Sequence, residues 1–437
     1  MNDRDSELIY GLLTGEGYAK TDLLEDANVA LFNTCSVRKH AEERVYGKVG
    51  MLKKWKQENP KRIIGIIGCM AQSHQGRIFE RLPHVDFICG PANIYDIPKL
   101  ILRRQVQDRQ RYISALDQKQ RPDIEQPALR QSPVSAYVSI SEGCDNFCSY
   151  CIVPYVRGGE RSRSKRLILE EVTRLAGTGI KEVVLLGQNV NSYCCQGKRS
   201  KSKGRGFVKL LEDINSIRGI ERIRFTTSHP KDANRSLFRA MRDLRKVCEH
   251  LHLPLQSGSN RILERMRRGY SREGYLRLAE DYRKILPSSS LTTDIIVGFP
   301  GESEKDFRQT CRTMEEVGFD SAFIFKYSPR PPAKSCAHKD DVAVNIKGGR
   351  NHRLLDLQRE ISRKVNERLI GREVEVFVES ENRKAKGKSL CGRTRTNKIT
   401  VFDASPRLIN TKVDVKIQKV TPNTLIGEWS DHGPEKK

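Results

Sequence analysis

Three cysteines stand within eight residues of EGCDNFCSYCIVPYVRGGERSR (142–163): Cys144, Cys148 and Cys151, spaced C-x3-C-x2-C. Thiolates so grouped bind metal. A structural zinc site wants four ligands, usually as two C-x2-C pairs, and the sequence offers no second pair at a zinc-like distance. Inert buried cysteines would not gather in one loop. A 4Fe–4S cluster held by three thiolates fits better, because one iron is left without a protein ligand and stays open to a substrate or cofactor. Arg157, Arg161 and Arg163 follow, placed to meet a phosphate backbone or a carboxylate, or to form structural ion pairs.

Three more cysteines close apolar runs in the first hundred residues. NVALFNTC (28–35), RIIGIIGC (62–69) and VDFICG (85–90) read as buried strands. Val45, Val49, Leu52 and Trp55 mark an amphipathic helix between the first two. A β-α-β rhythm of this kind predicts a parallel sheet with helices on its faces, and ligands then bind beyond the carboxyl ends of the strands. Cys35, Cys69 and Cys89 all fall at such ends. A polar stretch rich in Gln, Arg, Asp and Pro, over 106–132, predicts a linker after a first domain of residues 1–105.

The βα rhythm restarts at Ala136. Candidate strands are AYVSI (136–140), EVVLLG (182–187), RIRFTT (222–227), HLHLPL (250–255), TTDIIVGF (292–299) and AFIFKYS (322–328). Each runs into a polar or glycine-rich loop, where barrel enzymes place their chemistry. Six strands are too few for a closed eightfold barrel, so residues 133–365 predict an open (β/α)6 barrel, and the class is α/β. The tail, 366–431, alternates polar with apolar residues between turns, as an antiparallel small β-barrel does. Its exposed positions read as basic: Arg383, Lys384, Lys386, Lys388, Arg393, Arg395 and Lys398.

Composition limits the partners. Lys and Arg outnumber Asp and Glu by 79 to 54, a net charge of +25 that points to a polyanion. With no apolar run of bilayer length and no signal peptide, the expected location is cytoplasmic, away from membranes. Twelve cysteines in a reducing compartment then speak for metal binding or catalysis over disulfides.

The C-x3-C-x2-C loop, with Tyr150 before its last cysteine, resembles the radical S-adenosylmethionine (SAM) superfamily. There the open iron chelates SAM, and electron transfer cleaves the sulfonium to a 5′-deoxyadenosyl radical. Adding NTCSVR (33–38), GCMAQ (68–72), GQNVNSY (187–193), TSHPKD (227–232), HLHLPLQSGSNRIL (250–263), DIIVGFPGE (294–302), YSPRP (327–331) and GRTRTNK (392–398), nearly the whole chain resembles the methylthiotransferases. NTCSVR and GRTRTNK favour the tRNA branch, which adds a methylthio group to C2 of N6-isopentenyladenosine beside the anticodon. The alternatives are a threonylcarbamoyladenosine tRNA, a ribosomal protein, or a non-catalytic tRNA-binding relative.

The resemblance implies two 4Fe–4S clusters and SAM. Cys144, Cys148 and Cys151 would hold the first cluster. An auxiliary cluster, which holds the inserted sulfur, would take Cys35 and Cys69. The family's third auxiliary cysteine lies in a segment like GCQMN, and this chain begins as though at the methionine after it. A start assigned too far downstream is one expectation; Cys89 as a substitute ligand, or as an ordinary buried thiol, are the others. Gly187, Gln188 and Asn189 would meet the amino group of SAM or form an ordinary turn. Tyr150 and Asp294, and with them Ser228, Gln256 and Ser257, would be further cofactor contacts. The tail resembles the TRAM domain, an RNA-binding β module that would grip phosphate and ribose. Cys194 and Cys195 carry no assigned role. A monomer is expected, with tRNA as partner and with an electron donor and sulfur source that the sequence does not identify.

Overall fold

Short apolar runs alternate with amphipathic helices from the start of the chain, and each run is a strand. A computed structural model describes residues 1–36, 39–106, 112–113, 132–194, 204–382 and 389–429. They divide into two compact units: 1–131 with 141–163 and 328–336, and 132–140 with 164–327 and 337–437. The sequence boundary near residue 133 is therefore crossed twice, because the three-cysteine loop and the YSPRP segment belong with the first unit. Val37, Arg38, Cys195, Arg383, Lys384, Lys386, Lys388 and most of the expected linker lie outside the described residues.

The first unit runs α1 (Asn2–Gly15), β1 (Val29–Asn33), α2 (Lys39–Glu58), β2 (Ile63–Ile67), α3 (Cys69–His74), α4 (Arg77–Arg81), β3 (Phe87–Cys89), α5 (Ile97–Val106) and β4 (Tyr112–Ile113). The strands form one parallel sheet in sequence order. IIGII is buried throughout, as a strand covered on both faces must be. One face packs Val49, Leu52 and Trp55 of α2. The other packs Leu8 and Ile9 of α1 with Leu100 and Ile101 of α5. Two elements depart from expectation: α1, and β4, which places two residues of the predicted linker in the sheet.

The chain then gives β5 (Ser135–Ser139), the short strand β6 (Ser141–Glu142), α6 (Val153–Arg157) and β7 (Arg161–Ser162), which pairs with β6 and belongs with it to the first unit. Alternation resumes with α7 (Lys165–Gly177), β8 (Glu182–Leu186), α8 (Arg205–Asn215), β9 (Arg222–Thr226), α9 (Arg235–Asp243) and β10 (His250–His252). It ends with α10 (Asn260–Arg265), α11 (Arg272–Ile285), β11 (Ser290–Val297), α12 (Glu304–Val317), β12 (Ser321–Lys326) and α13 (Val344–Glu367). Strands β5-β8-β9 and β10-β11-β12 are parallel, and a bridge from Ile223 to Val247 joins the two sheets. This is the open six-stranded α/β barrel the sequence predicts. Its helices cover it with one apolar core that includes Val138, Leu185, Phe225, Leu251, Leu291 and Phe307.

The tail closes into a five-stranded barrel of β13 (Glu373–Glu381), β14 (Ser389–Thr394), β15 (Ile399–Asp403), β16 (Lys412–Val420) and β17 (Thr424–Trp429), ordered β13-β14-β15-β17-β16. All pairs are antiparallel except β15 with β17. Val376, Leu390, Phe402, Val415 and Leu425 fill it.

Candidate active site

The three-cysteine loop is folded onto its own backbone. Cys144 N–H donates to Gly158 O at 3.2 Å, and Cys151 N–H to Cys148 O at 3.0 Å. Gly143 lies at φ 73°, and a Cβ there would sit 2.1 Å from Gly159 O, so only glycine fits beside Cys144. Asn146 Nδ2 donates to Cys144 Sγ at 3.3 Å. Burial pushes the Cys144 thiol up. Cys148 is buried, Cys144, Tyr150 and Cys151 are half-buried, and Phe147 stands exposed with its ring edge-on to Tyr155. Three thiols on one shielded loop, one of them already receiving an N–H···S bond, are a donor set that fits a 4Fe–4S cluster.

Cys35 and Cys69 follow β1 and β2. Thr34 N–H donates to Ile67 O at 2.9 Å, and Met70 N–H to Thr34 O at 3.3 Å, which laces the two loops together. Gly68 lies at φ 94°, where a Cβ would meet Asn33 Oδ1 at 2.7 Å. Cys69 is buried against Ile152 and Val156, so α6 brings the end of the three-cysteine loop onto the first residue of α3. Arg157 is buried there. Its Nη2 donates to Asp5 Oδ2 at 2.7 Å and its Nε to Cys69 Sγ at 3.3 Å. Of the roles open to Arg157, the ion pair is the one observed. Met1 completes this corner: burial lowers the pKa of its amino group, which interacts with Asp5, Arg157 and Cys35.

Cys89 ends β3 beside this corner, its carbonyl accepting from Gly68 N–H at 2.9 Å. It is buried among Ile67, Phe87 and Ile97, and its thiol donates to Asn93 O at 3.2 Å. Its thiol is thus engaged within the core as a small hydrophobe. Among the described residues, no three His, Cys, Asp or Glu side chains are close enough to bind a single metal ion.

The YSPRP segment supports both loops. Arg330 Nη1 donates to Glu42 Oε2 at 2.6 Å, and Glu42 also accepts from Ser36, next to Cys35. Ser335 N–H donates to Ser149 O at 2.7 Å inside the three-cysteine loop. Burial would raise the Glu42 pKa, but His74, Ser36 and Arg330 outweigh it and hold the carboxyl below its ordinary value. Sequence reading missed Glu42; a buried acid one helical turn after NTCSVR was the available signal.

In the second unit, the loops after β8, β9 and β10 collect buried polar atoms that lack partners. These are Gln188 Oε1, Asn189 Oδ1, Thr227 Oγ1, Ser228 Oγ, His229 Nε2 and Gln256 Oε1. Such atoms are costly unless a ligand or water completes them. Gly187 is committed to β9, and Asn189 Nδ2 donates to Asp232 at 2.7 Å, so part of the GQN motif is a structural turn. Ser257 is also internal, with its hydroxyl 3.4 Å from that of Thr310. His229 Nδ1 accepts from Lys231 N–H, and burial, with Arg268 and Lys231, holds the ring neutral. Asp294 lies 3.5 Å from His252 Nε2. His252 Nδ1 and His250 Nε2 both reach Thr292 Oγ1 at 3.0 Å. A cavity of about 740 Å³ lies away from these loops, between the strands and the small barrel, lined by Glu182, Arg224, His252, Thr292, Phe323 and Lys398 among others.

The GRTRTNK turn corrects one expectation. Arg393, Arg395 and Lys398 are not a free basic face. Arg395 bonds Glu249 at 2.7 Å and Val247 O at 2.7 Å, and Lys398 bonds Asp320 at 2.6 Å; Arg393 lies 3.3 Å from Glu379. Arg224 of β9 bonds Glu182 at 2.8 Å, Thr394 O at 2.7 Å and Arg395 O at 3.0 Å. Arg222 reaches Arg393 O and Glu375 at 2.7 and 2.6 Å. The turn docks the small barrel on the amino-terminal ends of the α/β strands.

An open α/β barrel together with a C-x3-C-x2-C loop defines a radical SAM protein, and the radical SAM superfamily model matches residues 138–314. Uncharacterized protein family UPF0004 matches 1–90, and the TRAM domain 367–429. Among solved structures, the radical SAM methyltransferase TsrM from Kitasatospora setae aligns with a TM-score of 0.56 at 11 % identity, covering 88 % of this chain and 76 % of that one. The cobalamin-dependent radical SAM enzyme OxsB aligns with a TM-score of 0.52 at 13 % identity, covering 81 % and 53 %. Two curated relatives are each named tRNA-2-methylthio-N(6)-dimethylallyladenosine synthase. That of Caldicellulosiruptor saccharolyticus is 46 % identical over 98 % of this chain and 90 % of its own. That of Carboxydothermus hydrogenoformans is 46 % identical over 95 % and 94 %. The chain belongs to this family of radical SAM methylthiotransferases.

Proposed function

We propose that the chain is a transferase that adds a methylthio group to C2 of N6-isopentenyladenosine next to the anticodon of tRNA. The observation that carries this reading is the match to curated synthases of that name at 44–46 % identity over nearly the whole chain. The relatives' names favour it over a threonylcarbamoyl-adenosine, ribosomal-protein or non-catalytic role. Cys144, Cys148 and Cys151 would hold one 4Fe–4S cluster beside Tyr150; Cys35 and Cys69 would serve the auxiliary one. When bound, these groups and SAM supply the radical and the sulfur that an inert C–H bond requires.

The chain's own residues shelter and position that chemistry. Gly187, Gln188, Asn189 and Asp294 are proposed SAM contacts, and the unpartnered Ser228 Oγ and Gln256 Oε1 support the same end of the barrel. The proposed domain division is a methylthiotransferase domain at 1–105, a linker at 106–132, a radical SAM domain at 133–365 and an RNA-binding domain at 366–431. A net charge of +25 suits tRNA as partner. No described helix is long and apolar enough to cross a membrane. A tRNA substrate agrees with a cytoplasmic monomer that draws on an external electron donor and sulfur source. The test is mass spectrometry of tRNA nucleosides from cells with and without the gene. Loss of the 2-methylthio nucleoside with accumulation of isopentenyladenosine is expected; an unchanged nucleoside profile would refute the assignment.

A further inference from the structure

We infer that Phe323 and Ile296, on the inner face of β11 and the edge strand β12, seat the isopentenyl group of the substrate adenosine and so determine which modified base the barrel takes. The inference rests on the proposed function. Along β11, Leu291, Thr293, Ile295 and Val297 are buried, whereas Thr292, Asp294 and Ile296 are half-buried. Leu291, Ile295 and Val297 belong to the apolar core under the helices, so the alternate set faces the barrel interior. In β12, Ala322 and Ile324 pack against that core, which turns Phe323 and Phe325 inward beside their register partners Asp294 and Ile296. Barrel interiors are normally filled by side chains. Phe323 is nevertheless 53 % exposed. The His252 ring stands edge-on to it, with centroids 6.2 Å apart, and leaves half of the ring open.

This apolar wall adjoins the proposed cofactor contacts. Gln256 N–H donates to Asp294 O at 2.8 Å, and Ile296 N–H to Gln256 O at 2.9 Å, so Gln256 is laced to β11 between the two inward residues. Phe323 also lines the cavity of about 740 Å³, which gives the ring room for a ligand. Chemistry selects the occupant. An isopentenyl group is a branched hydrocarbon without a polar atom, and it gains by leaving water for such a wall. A threonylcarbamoyl group carries a carboxylate, which would lose its hydration there and meet the like charge of Asp294. An unmodified adenosine leaves the wall uncovered. Phe323, Ile296 and Asp294 together therefore favour the prenylated base and oppose the acidic one.

The test reads binding by the full chain and requires no turnover. Fluorescence anisotropy gives dissociation constants for synthetic anticodon stem–loops that differ only in the base next to the anticodon: isopentenyladenosine, adenosine or threonylcarbamoyladenosine. The parent is expected to bind the prenylated RNA about tenfold more tightly than the plain one. Phe323→Ala should remove most of that preference and leave the affinity for plain RNA unchanged; Ile296→Ala should remove part of it. Phe323 lies outside the apolar core, so its replacement should leave the midpoint of thermal unfolding in place. A prenyl preference that survives both alanine variants would overturn the inference and leave the proposed function standing. So would a Phe323→Ala variant that weakens both RNAs equally. A parent that prefers the threonylcarbamoyl RNA, or has no preference, would sink the proposed function and this inference with it.

Discussion

Replacing Arg224 by methionine should loosen the small barrel from the α/β barrel. Arg224 is one of the buried links between them, with Arg222: its guanidinium bonds Glu182 in β8 and the carbonyls of Thr394 and Arg395 in the docking turn. Methionine keeps much of the volume but leaves Glu182, itself buried, without its cation. Removing one partner of a buried ion pair costs about 3–5 kcal/mol. For a unit of this size that lowers the midpoint of thermal unfolding by roughly 5–15 °C. The chain has two tryptophans, Trp55 in the first unit and Trp429 in the small barrel. Trp429 fluorescence in a Trp55→Phe background therefore reports the barrel alone. Adding Glu182→Leu to Arg224→Met removes the orphaned charge and should restore about 1–4 kcal/mol. A single variant that loses under about 1 kcal/mol, or a double variant no more stable than the single, would refute the assignment of this buried pair as the support on which the small barrel docks.

Three further outcomes follow from the same contacts. Gly143→Ala has no room for its methyl beside Gly159 O and a backbone angle that alanine resists, so iron bound at the first cluster should fall by half or more; unchanged iron would contradict the loop geometry. Glu42 has a depressed folded pKa, so its contribution to stability is present above the ordinary carboxylate value and is lost as pH falls from about 4.5 through the folded value. Glu42→Gln should abolish that part of the acid dependence, which unfolding midpoints between about pH 3 and 6 would read. Gln256→Leu removes a buried carbonyl offered at the barrel's open end; the SAM concentration for half-maximal cleavage should rise about tenfold, equivalent to ~1.4 kcal/mol, with iron content unchanged.

Much of the architecture was legible because its signal is local. IIGII and EVVLLG are apolar runs of strand length, and the structure makes each a strand with ends shifted by a residue or two. HLHLPL yields only His250–His252, since Pro254 has no N–H for the ladder. Helix α1 was hidden for the opposite reason: NDRDSEL looks solvent-facing, yet Arg4, Asp5 and Glu7 are buried. Charge normally marks a surface, and only tertiary partners such as Arg157 reverse that. The basic turn misled in the same way. Arg393, Arg395 and Lys398 look like RNA contacts in sequence, and their acidic partners Glu249, Asp320 and Glu379 are too far along the chain to reveal themselves. The spacing of Cys144, Cys148 and Cys151 announced a cluster. The gathering of Cys69 and Arg157, 88 residues apart, could come only from the fold.

The most direct measurement combines the anaerobically reconstituted chain with SAM, a strong reductant and tRNA carrying isopentenyladenosine, and follows deoxyadenosine and modified nucleoside together. Both products should form, and both should vanish when Cys148 is replaced by alanine. Deoxyadenosine that appears without the alanine-sensitive loop, or tRNA that stays unaltered in protein loaded with both clusters, would contradict the account.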